Sequence, residues 1–261
     1  MKSRSVRRFC FISVFAGLCF LTPCNSFAGT LEIGNGFFYN KQYERAITAF
    51  SEVLATDNYD KATKNKIKYK IGLSYFLLGE RDKCLELWAE ARAENPGMFE
   101  GKIFRIPSAG MEPQLIIGDM IIIDNEYYQH NEINRHDIVV FLNPEDPKKL
   151  NIKRVIALPG DKIQIKKREV FINGLKLVDI PITDTATSKY EPTRDDFGPL
   201  VVPQRSFFLL GDNRDKSYDS RFYGPVKQDL IIGKALVIYG STPNKDSFEG
   251  ATLDRTGMII K

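Results

Sequence analysis

The stretch LLGDNRDKSYDSRFYGPV, residues 209–226, runs from an apolar segment into a loop dense with Asp212, Arg214, Asp215, Asp219 and Arg221. The segment that feeds it, SFFLLGD, is too short for a helix and reads as a buried strand. Similar runs recur on its N-terminal side as MIIID, DIVVFL, IKRVIAL and KIQIKKREVFIN, and on its C-terminal side as LIIGKALVIYG. Each is bounded by Gly, Pro, Asn or Asp, and no long helical pattern separates them, so residues 102 to about 245 predict an all-β domain. Within it, Asn173-Gly174 lies between apolar residues, a hairpin signal. Residues 178–203 are polar and irregular, and predict an excursion from the β core. Residues 246–261 predict a loosely held polar tail.

Upstream the period changes. Residues 31 to about 96 are helical in pattern, and their two halves repeat one another. Gly34, Phe37, Ala46 and Phe50 in the first half correspond to Gly72, Tyr75, Cys84 and Trp88 in the second, at identical spacings, and Pro96 closes the second unit. This arrangement resembles the tetratricopeptide repeat, a pair of helices that approach through small and aromatic positions. Two units are fewer than the three or so that usually stand alone, so they are expected to lean on the next domain, a partner or another copy. A concave face that takes a peptide or docks a protein partner, and a plain structural spacer, are both open.

The first 28 residues have the layout of a secretory signal. Lys2, Arg4, Arg7 and Arg8 precede an apolar run from Phe9 to Leu21, and Ser26 and Ala28 suit cleavage after Ala28. An uncleaved anchor is the alternative, although the run is short against the roughly 20 residues a span needs. The expected location is the exported side: the periplasm or the outer face of the cytoplasmic membrane. Once those four positive charges are set aside, 33 basic side chains balance 33 acidic ones, which leaves no footprint for nucleic acid. Three of the four cysteines lie in the leader, so Cys84 has no partner within the remaining chain. His130 and His136 have no spaced partners, and neither a metal site nor a cofactor is expected.

The β region resembles type I signal peptidases, the membrane-associated serine endopeptidases that remove leaders from exported proteins. Four ordered stretches carry the resemblance: IPSAGMEPQLIIGD (106–119), DIVVF (137–141), NIKRVIALPGD (151–161) and the loop at 209–226. The expected fold is therefore an α+β multidomain chain, with helical repeats at 29–99 before a signal-peptidase-like β domain at 102–245. The resemblance implies a serine-lysine dyad, in which a lysine kept neutral by burial takes the proton of a serine. It places Lys153 at the general-base position, Ser217 as the serine that orients it, and Asp219 with Arg221 as a pair that braces the loop. Asp212, Asn213 and Arg214 are expected to shape the turn. The family also implies peripheral membrane contact, for which LIIGDMIIID is apolar enough; a buried strand would need the same residues.

The nucleophile is where the pattern departs. The family reads Pro-Ser-x-Ser-Met-x-Pro-Thr, and Pro107, Ser108, Met111 and Pro113 fix the register here. Gly110 then stands at the nucleophile position, Gln114 replaces the threonine, and Ser108 falls at the oxyanion-hole position. Shifting the attacking hydroxyl to Ser108 would displace it by roughly 6 to 7 Å along an extended chain. Three readings follow: a pseudopeptidase that binds leader or other extended peptides of precursor proteins, an active processing enzyme using Ser108 with Lys153, and a repeat-based interaction scaffold.

Overall fold

The structure, a computed structural model, describes residues 26–178, 189–242 and 255–260. Residues 1–25, most of the segment expected to be a leader, the centre of the polar excursion and most of the tail lie outside the described residues. Four helices open the described chain: α1 (Ser26–Tyr39), α2 (Tyr43–Leu54), α3 (Lys61–Leu77) and α4 (Arg81–Glu94). The first begins at Ser26, within the segment expected to end the leader. In α2 the buried residues Ala46, Ala49, Phe50 and Val53 make one apolar stripe. Asp60 caps α3 by accepting the Thr63 N–H at 2.7 Å, and α4 stops at Asn95, whose successor is Pro96.

Consecutive helices pack together, and the two glycines lie at the tightest approaches. A Cβ on Gly34 would come within 2.6 Å of the Phe50 ring, and one on Gly72 would overlap the Trp88 indole. Trp88 has little room to yield. Its ring stacks between Tyr69 and Phe76, with centroids 5.8 and 5.9 Å away, and its Nε1 donates to the Tyr69 carbonyl at 3.2 Å.

The β region contains a seven-stranded antiparallel sheet and a four-stranded one. Its strands are β1 (Ile103–Arg105), β2 (Asp119–Asp124), β3 (Ile138–Leu142), β4 (Leu150–Ala157), β5 (Lys162–Lys166), β6 (Glu169–Ile172), β7 (Leu175–Lys176), β8 (Phe197–Val201), β9 (Ser206–Leu210), β10 (Val226–Lys227) and β11 (Ile231–Ser241). The larger sheet runs β1-β2-β11-β3-β4-β9-β10, and the smaller runs β7-β6-β5-β8. Asn173 and Gly174 both have positive φ, 53° and 86°, and make the two-residue turn between β6 and β7. The end of the polar excursion is not outside the β structure: Phe197–Val201 pair with β5 as an edge strand. A glycine and a proline inside this short run, directly after a polar stretch, hid it, since both are permitted on an edge strand.

The helices lie against the larger sheet. One apolar core joins Phe50, Trp88 and their neighbours to Ile122 of β2 and Val237 of β11, and Tyr239 closes on Trp88 with centroids 5.9 Å apart. Beside it runs a polar seam. Lys70 donates to Asn35 Oδ1 at 2.8 Å and to the Tyr39 hydroxyl at 3.2 Å, and pairs with Glu126 at 3.1 Å, while the Tyr39 ring stacks on His130. The helical layer thus leans on the β region.

Part of the expected loose tail also packs. Ile259 bridges to Val237, Ile260 is buried, and Arg255 donates to the buried Asp119 carboxylate and, at 2.8 Å, to the Gln114 carbonyl. The sequence of the tail is polar on average, yet Arg255, Ile260 and backbone hydrogen bonds to Leu236 and Ile238 hold residues 255–260 against β2 and β11.

Candidate functional site

The site loop 106–119 is anchored from below. Ile106, Met111 and Leu115 enter an apolar core with Ile121, Ile138 and Ile152, which turns the backbone between them toward the opposite side. There Ala109–Met111 form a single 3-10 turn, preceded by Ser108 in extended conformation. Gly110 is buried and Ser108 exposed.

A second loop presses on this turn. The Asn213 N–H donates to the Gly110 carbonyl at 3.2 Å. Gly211 permits the approach, since a Cβ there would overlap both the Gly110 carbonyl and the Ser217 hydroxyl. The loop is braced from within by Asp219 and Arg221. Asp219 accepts Arg221 Nε at 2.8 Å and Nη2 at 2.9 Å, a two-point grip that holds both groups in one plane, and also the Gly211 N–H at 3.1 Å. Arg221 Nη2 in turn reaches the carbonyl of Arg214 at 2.7 Å.

β4 supplies the third wall. It lies between β3 and β9, with Val139 opposite Lys153 and Leu210 opposite Arg154. The Arg154 guanidinium is fully buried against Asp212, Nε and Nη2 each 2.7 Å from a carboxylate oxygen, and Nη1 donates to the His136 carbonyl at 2.9 Å. This tie locks the polar loop to the central sheet. It was missed in the sequence because the partners are far apart in the chain, and only the adjacency of Arg154 to Lys153 hinted at it.

Lys153 is the other buried cation of β4. Burial in apolar surroundings pulls its amine below the ordinary lysine value, with the carboxylates of Asp219 and Asp212 acting in the opposite sense. Its Nζ donates to the Ile152 carbonyl at 2.8 Å. The bond to Ser217 implied by the resemblance is not made: the Ser217 hydroxyl is buried without a hydrogen-bond partner. The lysine satisfies itself on its own strand, a short reach that leaves Ser217 unused.

The structure brings Gly110, Lys153 and Ser217 together. A Cβ built on Gly110 would lie 3.7 Å from Lys153 Nζ, 3.7 Å from the Lys216 carbonyl oxygen and 3.7 Å from Ser217 Cα, all ordinary contacts. Gly110 does not have the positive φ that would exclude another residue.

The sequence from residue 96 to 240 matches the family described as signal peptidase, peptidase S26. The chain belongs to this signal peptidase family. It is 39% identical over 144 residues to a probable signal peptidase I-2 of Synechocystis sp., covering 53% of this chain and 62% of that protein. It is 41% identical over 139 residues to a signal peptidase I of Leptolyngbya laminosa, covering 51% and 65%, and 31% identical over 220 residues to a signal peptidase I of Aquifex aeolicus, covering 62% and 85%. The chain thus spans a little under two thirds of the length of the first two. The family match takes in the site loop, β4 and the braced polar loop, and α1–α4 precede it. Among the described residues no helix is long and apolar enough to cross a membrane, and no cluster of side chains is suited to a metal ion.

Proposed function

We propose that the protein is a signal-peptidase-like receptor of the exported compartment, which binds the leader or another extended segment of precursor proteins and is impaired in cleaving it. The observation that carries this reading is the seat at Gly110. It lies in ordinary contact range of the Lys153 amine, and it holds no side chain that could attack a carbonyl. In this reading Gly110 occupies the nucleophile position, Lys153 the general-base position and Ser108 the oxyanion-hole position. Ser217 is the serine next to the base, and Asp219 with Arg221 keeps the loop in shape. An extended peptide is held by backbone hydrogen bonds and side-chain pockets, neither of which needs a nucleophile.

The active alternative requires Ser108 to attack. Its exposure, against the burial of Gly110 and Lys153, argues for the receptor. The helices, which resemble tetratricopeptide repeats, are assigned a bracing role, supported by the seam that Lys70, Tyr39 and Glu126 make with the β region. Peripheral membrane contact beside the site, at the outer face of the cytoplasmic membrane, belongs to the same proposal.

The test pairs the native protein with Gly110→Ser and supplies both with a leader-bearing precursor. The expected outcome is binding by both and multiple-turnover cleavage by Gly110→Ser alone, because a serine Oγ in the rotamer turned toward the amine comes within the roughly 2.6–3.2 Å that proton transfer to Lys153 requires. Repeated turnover by the native chain would refute the receptor reading.

A further inference from the structure

In a serine-lysine pair the amine only relays a proton, because the hydroxyl stands between it and the substrate. At this site nothing stands there. The space for a Cβ at residue 110 is bounded at 3.7 Å by Lys153 Nζ, by the Lys216 carbonyl and by the Ser217 backbone. Lys153 Nζ donates to the carbonyl of its own neighbour, Ile152, and, among the described residues, to no group of the two loops that line this space. The Ser217 hydroxyl lies against Gly211 on the same loop, buried and without a hydrogen-bond partner.

We infer that Lys153 is itself an acyl acceptor: it attacks the carbonyl of a peptide seated across Gly110 and captures one leader per protein molecule as an amide. The inference rests on the peptide-binding reading above and adds a covalent step to it. Burial favours the uncharged amine, which unlike a hydroxyl needs no base in order to attack. The Nζ lone pair forms the new C–N bond while the carbonyl π electrons move to oxygen. They return as the original peptide C–N bond breaks, and Nζ gives up one proton to the departing amine. The products are a leader joined through an amide to Lys153 and a downstream chain with a free amino terminus. No water is consumed. Because an amide is far more resistant to hydrolysis than a serine ester, the site is filled after one event.

The experiment incubates the full chain with a labelled precursor peptide, then measures intact mass, peptide-mapped position and released downstream fragment. The expected result is a mass gain equal to the leader fragment less one water, located at Lys153, with release levelling at one equivalent. Lys153→Met, with its fold checked by near-ultraviolet circular dichroism, should form no adduct. A peptide aldehyde carrying the leader sequence, trapped by cyanoborohydride, tests access independently and should label Lys153. Failure of the aldehyde to label it overturns the inference, as does an adduct that persists in Lys153→Met. Peptide binding without adduct overturns the covalent step and leaves the receptor reading standing. Absence of peptide binding overturns both, as does release beyond one equivalent.

Discussion

Glycine is used in two opposite ways in the two halves of this molecule. In the helical layer, Gly34 and Gly72 are demanded by their neighbours: Phe50 and Trp88 fill the space a side chain would need. In the site, Gly110 faces Lys153 across a gap that would accept a Cβ at ordinary contact distance, and its backbone does not have a positive φ. The first kind of glycine is explained by packing. The second is not explained by packing, since the fold has room for a Cβ at residue 110. The same contrast exists within the site, since Gly211 is as sterically required as Gly72.

The sharpest way to break this contrast is at Gly72. Gly72→Ala should gain the roughly 1 kcal/mol that alanine offers in a helix but lose more through overlap with a confined indole. A net loss of about 1–3 kcal/mol in chemical denaturation is expected; a neutral result would mean that the helices pack more loosely than the ring stacking implies. A smaller effect is expected at Lys153. Its folded-state amine titrates below the unfolded value, so the unfolded chain binds more protons and the contribution of this group to stability rises with pH from the folded pKa up to the ordinary lysine range. Lys153→Met should remove that rise, because methionine fills the buried space without a titratable group. Denaturation curves collected from pH 6 to 10 would check both the sign and the slope. The smallest change is expected from Gly110→Ala, which should alter stability by no more than about 0.5–1 kcal/mol and in the stabilising direction, through a less flexible unfolded chain. A large loss there would return Gly110 to the structural class.

What could be read in the sequence was local or patterned. The approach of Gly34 to Phe50 and of Gly72 to Trp88 was legible because each pair sits at one fixed spacing within consecutive helices. The strands announced themselves as apolar runs. The unread features pair residues whose partners lie far along the chain. Arg154 looked like a strand residue beside a more interesting lysine, yet it fastens Asp212 and with it the whole polar loop. Arg255 lay in a stretch read as a loose tail, yet it grips Asp119 and Gln114 at the edge of the site loop. The resemblance implied a bond between Ser217 and Lys153; such a bond depends on a rotamer, and the lysine donates to the Ile152 carbonyl instead.

The seam between helices and sheet also bears on how this protein can be divided. Ile122, Val237 and Tyr239 belong to strands of the signal-peptidase-like region, yet it is Trp88, Phe99 and their helical neighbours that keep water from them. A fragment cut at the helix–sheet boundary would carry an open apolar face and a severed charge cluster at Asp124 and Glu126. The helices are therefore part of the solvent boundary of the β region, and the unit of folding is larger than the segment that carries the family pattern.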